Sequence, residues 1–180
     1  VSLTAAQIVS LSIQSAKAGN VSGGVTTGFT AQAGQFLNSI LSDLCQTYDL
    51  DITKKTFNFN FQPGLVTTDP KFPNNVAGGG PYPLPADYLR AVRDEVMWFN
   101  LGVPYPMIPF DLAEYYWLIQ QAAMTSFPSF FSTDMSETPP VMVVYPTPNN
   151  GFPVMVRYYS QMPDIVTPET SATVPWFPNQ

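Results

Sequence analysis

Asp111 and Glu114 stand at helical spacing, and Tyr115, Tyr116 and Trp117 follow at once. Cleaving a glycosidic bond takes two carboxyl groups flanking it, and aromatic rings make platforms for sugars. On that chemistry the segment would be the acid/base pair and sugar platform of a glycan hydrolase. The same spacing also describes a helix start. An Asp at the N-cap accepts backbone N–H bonds, and a Glu in the first turn is favoured by the helix dipole. The cap asks nothing further of the sequence, and it is the preferred reading. Asp94 and Glu95 sit side by side in a strand-like run, so they point to opposite faces and do not converge on one substrate atom.

Other residue types suited to catalysis are scarce. The chain has no histidine, and Cys45 is its one cysteine, which excludes an internal disulfide and the usual His/Cys zinc or haem sites. Cys45 falls inside an apolar helical pattern and reads as a small buried hydrophobe. Gly78-Gly79-Gly80 lacks the lysine and the helix start of a phosphate loop. No serine or threonine has a His or Lys partner to activate it. Phe57, Phe59 and Phe61 could stack on bases. The seven Lys and Arg residues, however, are scattered apart from Lys54-Lys55, and the net charge is −6. Sequence-specific nucleic-acid binding is therefore not expected, although an acidic wall lets DNA slide past without sticking. No cofactor or metal is expected, and no enzymatic activity.

The elements around these residues point to an α+β fold, with helices packed on short antiparallel strands. Thr4 and Gln7 form a capping box that opens a first helix carrying Ile8, Val9, Leu11 and Ile13. A Gly-rich loop from Asn20 to Gly28 precedes a second helix from about Thr30. Its apolar positions Ala33, Phe36, Leu37, Ile40, Leu41 and Leu44 predict one buried face. Thr56 to Phe61 alternates polar and aromatic residues, so it should be a strand whose phenylalanines pack on that helix. From Pro63 to Tyr82 prolines and glycines predict a long loop. Pro85 to Arg90 reads as a short helical turn. Val92 to Phe99 and Tyr105 to Phe110 read as strands around the turn Asn100–Pro104, the second demoted to an edge by Pro106 and Pro109. Asp111 opens a helix with Leu112, Tyr115, Tyr116 and Ile119 on one face. Val141–Tyr145 and Val154–Tyr159 flank a Pro/Asn/Gly turn and predict a closing β-hairpin.

One domain is expected over 1–180: a helical part (1–50), a strand-rich part (54–160) and an extended tail (161–180). The composition is 45% hydrophobic and only 11% charged, against roughly a quarter charged in an ordinary soluble domain. So few charges suit a surface that largely faces other subunits. No apolar run has transmembrane length, so no membrane partner is expected.

Taken in order, several segments resemble head-to-tail adaptor (connector) proteins of short-tailed phages. They are the first helix with its Gly-rich loop, Gln35 to Leu41, Tyr82 to Arg90, Asp111 to Tyr116 and the closing segment Tyr145 to Tyr159. The resemblance covers most of the chain. It implies a structural virion protein without cofactor, a homo-oligomeric ring of about twelve copies between the portal protein and a downstream tail or nozzle protein. Genomic DNA would pass through the ring, and the protein would sit at the virion neck after assembly in the host cytoplasm. On that reading the bulky anchors Phe72 and Tyr82, Tyr158 and Tyr159, and Trp176 and Phe177 face neighbouring subunits or partners. The alternative is a virion-associated cell-wall glycan hydrolase or glycan-binding module built on Asp111 and Glu114.

Overall fold

Apolar side chains at every position of Val141–Tyr145 demand cover on both faces of that strand, and the architecture provides it. The computed structural model describes residues 3–17, 27–63, 80–121, 124–161, 164–168 and 170–172. Its elements are α1 (Ala5–Lys17), α2 (Thr27–Thr47), a 3-10 turn (Asp51–Thr53), β1 (Lys54–Asn60), β2 (Tyr82–Pro83), β3 (Tyr88–Asn100), β4 (Val103–Pro106) and β5 (Ile108–Pro109). There follow α3 (Leu112–Gln121), β6 (Thr125–Ser126), β7 (Phe130–Asp134), β8 (Val141–Tyr145), β9 (Thr147–Pro148) and β10 (Pro153–Ser160). The fold is mixed α+β. It divides into two compact units, one of Val1–Thr53 with Gln161–Gln180, the other of Lys54–Ser160.

The strand unit holds a four-stranded sheet ordered β1-β10-β3-β4 and another ordered β2-β8-β7-β5. Val96, Trp98, Val154, Val156 and Tyr158 of the first sheet share one buried cluster with Tyr82, Phe131, Met142 and Val144 of the second. The two sheets therefore pack face to face. The alternate side chains of β8, Val141, Val143 and Tyr145, point the other way and are covered by Tyr115, Leu112 and Leu118 of α3. β8 is thus the middle of three layers, which is why no polar residue interrupts it.

The expected closing hairpin is not formed. β8 lies between β2 and β7, and β10 lies in the other sheet between β1 and β3. The Pro/Asn/Gly stretch between them is a crossover from one sheet to the other. Turn chemistry marks a reversal of direction but not whether the two strands pair, and each of these strands has its edges taken by others. Pro85–Arg90 meets the expectation of a proline-opened turn in its first half only, since Tyr88–Arg90 are strand. The turn is closed by Tyr88 N–H donating to the Pro85 carbonyl (2.9 Å). The phenylalanine row of β1 packs within the strand unit, where Phe59 and Phe61 each meet the Tyr82 ring at 5.3 Å. The edge assignment for the proline-bearing segment holds, since β4 and β5 are both edge strands.

In the helical unit the capping box is present. Thr4 N–H donates to Gln7 Oε1 (2.8 Å) and Gln7 N–H to Thr4 Oγ1 (3.3 Å). Ala5, Val9 and Ile13 of α1 and Leu41 and Cys45 of α2 are buried. The face predicted for α2 is split. Leu37 and Leu41 pack inward with Ala5 and Ile165, whereas Phe36 and Ile40 are 69% and 57% exposed. The helix also starts at Thr27, earlier than the expected Thr30. The segment expected as an extended tail is tied to the helices at Ile165 and Ser171. The Asn38 side chain donates to the Ile165 carbonyl (3.0 Å) and accepts from its N–H (3.2 Å), and Ala6 N–H donates to the Ser171 carbonyl (3.1 Å). A side-chain amide imitates a strand partner there, and Ile165 fills the gap between the helices.

Candidate partner interface

Of the six residues expected at an interface, Phe72, Trp176 and Phe177 lie outside the described residues. Tyr82, Tyr158 and Tyr159 are buried in the strand unit, so little of any ring is left for a second molecule. Their burial is well satisfied. The Tyr82 hydroxyl accepts from Gln62 N–H, and burial pushes its pKa up to about 12. Tyr158 donates to Asp87 Oδ1 (3.0 Å), while Lys55 reaches Asp87 Oδ2. Burial first, then the hydrogen bond to Asp87 and the Asp87 charge, lift Tyr158 to about 12. Burial opposes ionisation of Asp87, but the Lys55 and Tyr158 hydrogen bonds and the Lys55 charge bring its carboxyl below the ordinary range. The Tyr159 ring lies under two cations, Arg90 at 4.8 Å and Lys54 at 5.6 Å from its centroid.

The candidate catalytic pair resolves as a cap. Asp111 Oδ1 accepts from Ala113 N–H (2.7 Å) and the Asp111 carbonyl from Tyr115 N–H (3.0 Å), the bonds that open α3. Tyr115 of the proposed sugar platform is in the core. Asp94 and Glu95 fall in a bulge rather than in regular strand. Ala91 pairs with Tyr158 and Val96 with Val156, so Val92 to Glu95 stand opposite Arg157 alone. Arg157 bonds Glu95, and Asp94 takes a φ of 60° with its side chain in solvent. Gly80 has a steric reason of its own. Its φ is +115°, and a Cβ there would lie 2.9 Å from the Met142 carbonyl oxygen. Among the described residues no group of three His, Cys, Asp or Glu side chains is placed to hold a metal, and no helix is long and apolar enough to cross a membrane.

The most exposed apolar residue of the described chain is one that the sequence reading passed over. Asn100 pairs with Val103 across a two-residue turn whose central residues, Leu101 and Gly102, have φ of 50° and 84°. Positive φ at both positions is the type I′ turn, which suits the right-handed twist of the flanking strands and prefers Asn-Gly. Here the first position carries Leu101, 98% exposed. Both faces of β4 are also open, with Val103 and Tyr105 on one of them. Tyr105 stacks on the buried Trp98 ring (4.6 Å, 15°), and Phe127 lies parallel to the same ring (5.5 Å, 7°). Trp98 is pinned by its Nε1–H donating to the Pro128 carbonyl (2.8 Å). Tyr105, Pro106, Phe127, Pro128 and Asn100 line a groove of about 240 Å³ over it. The only ionisable group in that wall is a phenol, so the surface takes apolar or uncharged polar matter rather than phosphate. The signal was available: an apolar residue inside a turn that otherwise reads Asn-x-Gly has no local reason to be there.

A family model matches residues 4–180, through both units. The chain belongs to the SU10 adaptor protein family. It is a phage adaptor, a structural virion protein. A comparison with curated proteins finds no match.

Proposed function

We propose that this adaptor forms an oligomeric ring between portal and tail, of about twelve copies by family resemblance, and extends the DNA channel without carrying out a chemical step. The observation that carries the reading is the apolar protrusion at Leu101 beside the Tyr105–Phe127 groove, held on a β-hairpin in an adaptor with only 11% charged residues. Such a surface is stabilised when another protein covers it. The net charge of −6 suits a wall that DNA passes without sticking. Phe72, Trp176 and Phe177 are proposed as further anchors, in arms that reach the portal or the downstream tail protein. The neck of the virion is the place this implies.

The test is to mix the purified adaptor with its portal protein and to measure the mass of the complex by sedimentation velocity. A discrete multi-copy ring on the portal is expected. Deleting residues 173–180 should weaken that complex and leave the fold intact, because the Asn38–Ile165 and Ala6–Ser171 bonds remain. An adaptor that stays monomeric with portal present, or one that cleaves peptidoglycan in a turnover assay, would overturn the reading.

A further inference from the structure

The two four-stranded sheets have four edges, β1, β4, β2 and β5. An edge strand exposes every second residue's N–H and C=O, and proteins protect such rows from unwanted pairing. The backbone bonds reveal which residues of each edge face outward. Met107 N–H donates to the Val96 carbonyl (2.8 Å) in continuation of the β3–β4 ladder, so Tyr105 and Val103 face β3 while Pro104 and Pro106 face out. Ile108 N–H bonds Ser129 and Phe110 N–H bonds Phe131, which leaves Pro109 of β5 facing out. Leu84 N–H donates to the Pro140 carbonyl (2.8 Å) in continuation of the β2–β8 ladder, which leaves Pro83 facing out. At every outward position of these three edges stands a proline, which has no N–H to offer.

β1 is the exception. Phe61 N–H donates to the Phe152 carbonyl (2.9 Å) in register with the β1–β10 ladder, so Phe59, Phe57 and Lys55 face β10. Thr56, Asn58 and Asn60 face outward with their N–H groups intact, and among the described residues no strand pairs with them. The side chains at this edge are also unfinished. Phe61 is buried, whereas Phe57 and Phe59, stacked at 5.6 Å, are only partly buried. An additional strand would supply the missing hydrogen bonds and cover for that aromatic row at once.

We infer that β1 is the strand-accepting edge through which one copy of this adaptor takes up an extended segment of the next copy. This rests on the proposed ring of copies. The segment must come from outside the donor's two sheets, because its other edges are closed by proline. The chain has such length: 64–79 and 173–180 lie outside the described residues, and 16 extended residues reach about 50 Å. Main-chain bonds to Thr56, Asn58 and Asn60 give affinity, and apolar side chains at alternate positions of the incoming strand cover Phe57 and Phe59. A contact between two different surfaces of identical copies propagates from copy to copy, and it closes into a ring when the rotation between copies closes.

The experiment compares the full-length adaptor with Asn58→Pro and Asn58→Ala, each mixed with portal protein, by sedimentation velocity and by backbone amide exchange. Asn58→Pro removes one outward N–H and none of the β1–β10 bonds. It should raise the concentration needed for assembly by roughly tenfold, the worth of about one backbone hydrogen bond per contact. Asn58→Ala keeps the N–H and should assemble like the parent. In the unaltered adaptor the amides of Thr56, Asn58 and Asn60 should exchange readily before assembly and slowly after it, a readout that stands even if the proline variant misfolds. A ring that forms with these amides still exchanging overturns the inference and leaves the ring reading intact. Amides already protected in the isolated chain, or assembly that stops at two copies through β1 on β1, also overturn it. Failure of the unaltered adaptor to assemble on portal refutes the ring, and this inference with it.

Discussion

Leu101→Asn should make the isolated adaptor more stable and its assembly weaker. The left-handed backbone at φ 50° crowds the leucine Cβ against its own carbonyl, at a cost of about 1 kcal/mol. Asn tolerates that conformation and restores the Asn-Gly pair that a type I′ turn prefers. At 98% exposure the leucine side chain contributes no burial within the chain that could offset the gain. The unfolding free energy should therefore rise by about 1 kcal/mol, or roughly 2–4 °C in melting temperature for a chain of this length. Buried against a partner, the same side chain is worth about 1.5–3 kcal/mol, so its loss should weaken assembly by roughly 10- to 150-fold. Urea unfolding of the isolated protein and titration against portal protein read the two effects separately. A loss of stability would mean that Leu101 packs within its own chain. A more stable variant that assembles as well as the parent would remove the hairpin tip from the interface.

Leu41→Ala should cost about 2–5 kcal/mol, because Leu41 closes the α1–α2 cluster; Phe36→Ala, one turn away on the exposed side, should stay within about 0.5 kcal/mol. Equal costs in chemical unfolding would show that the buried face of α2 is wrongly drawn. Asp111→Ala should cost about 0.5–2 kcal/mol through the lost cap and leave portal binding unchanged; loss of a hydrolytic activity without loss of stability would instead revive the glycan reading. Stability should fall steeply in alkali. Buried Tyr82 and Tyr88 hold their protons to about pH 12 in the folded chain, whereas unfolded tyrosines release them near pH 10. The native state therefore binds more protons over that interval, and the two groups together cost it roughly 3 kcal/mol per pH unit. Urea unfolding at successive pH values tests the sign; a flat profile from pH 10 to 12 would show that the two hydroxyls are already open to solvent.

Local signals were legible where one short stretch of chain completes its own chemistry. The Thr4–Gln7 box, the Asp111 cap, the period-two strand at Phe57–Phe61 and the proline-marked edges each need only neighbours within a few residues, and the structure has them. What the sequence left open was always a question of which surface meets which. Phe36 and Leu37 look alike on a helical wheel, but only one faces α1. Val141–Tyr145 and Val154–Tyr159 read as partners because they are close along the chain, yet each is hydrogen-bonded on both sides by other strands. Tyr82, Tyr158 and Tyr159 carried the same size and amphipathic character as any interface anchor, and the packing of two sheets put them inside. The Leu101 turn was recognised as a turn, while its exposure depended on β4 being an edge. Hydrogen-bonding direction and side-chain alternation are set by adjacent residues and survive in the sequence. Burial depends on what arrives from elsewhere in the chain, and only the tertiary structure decides that.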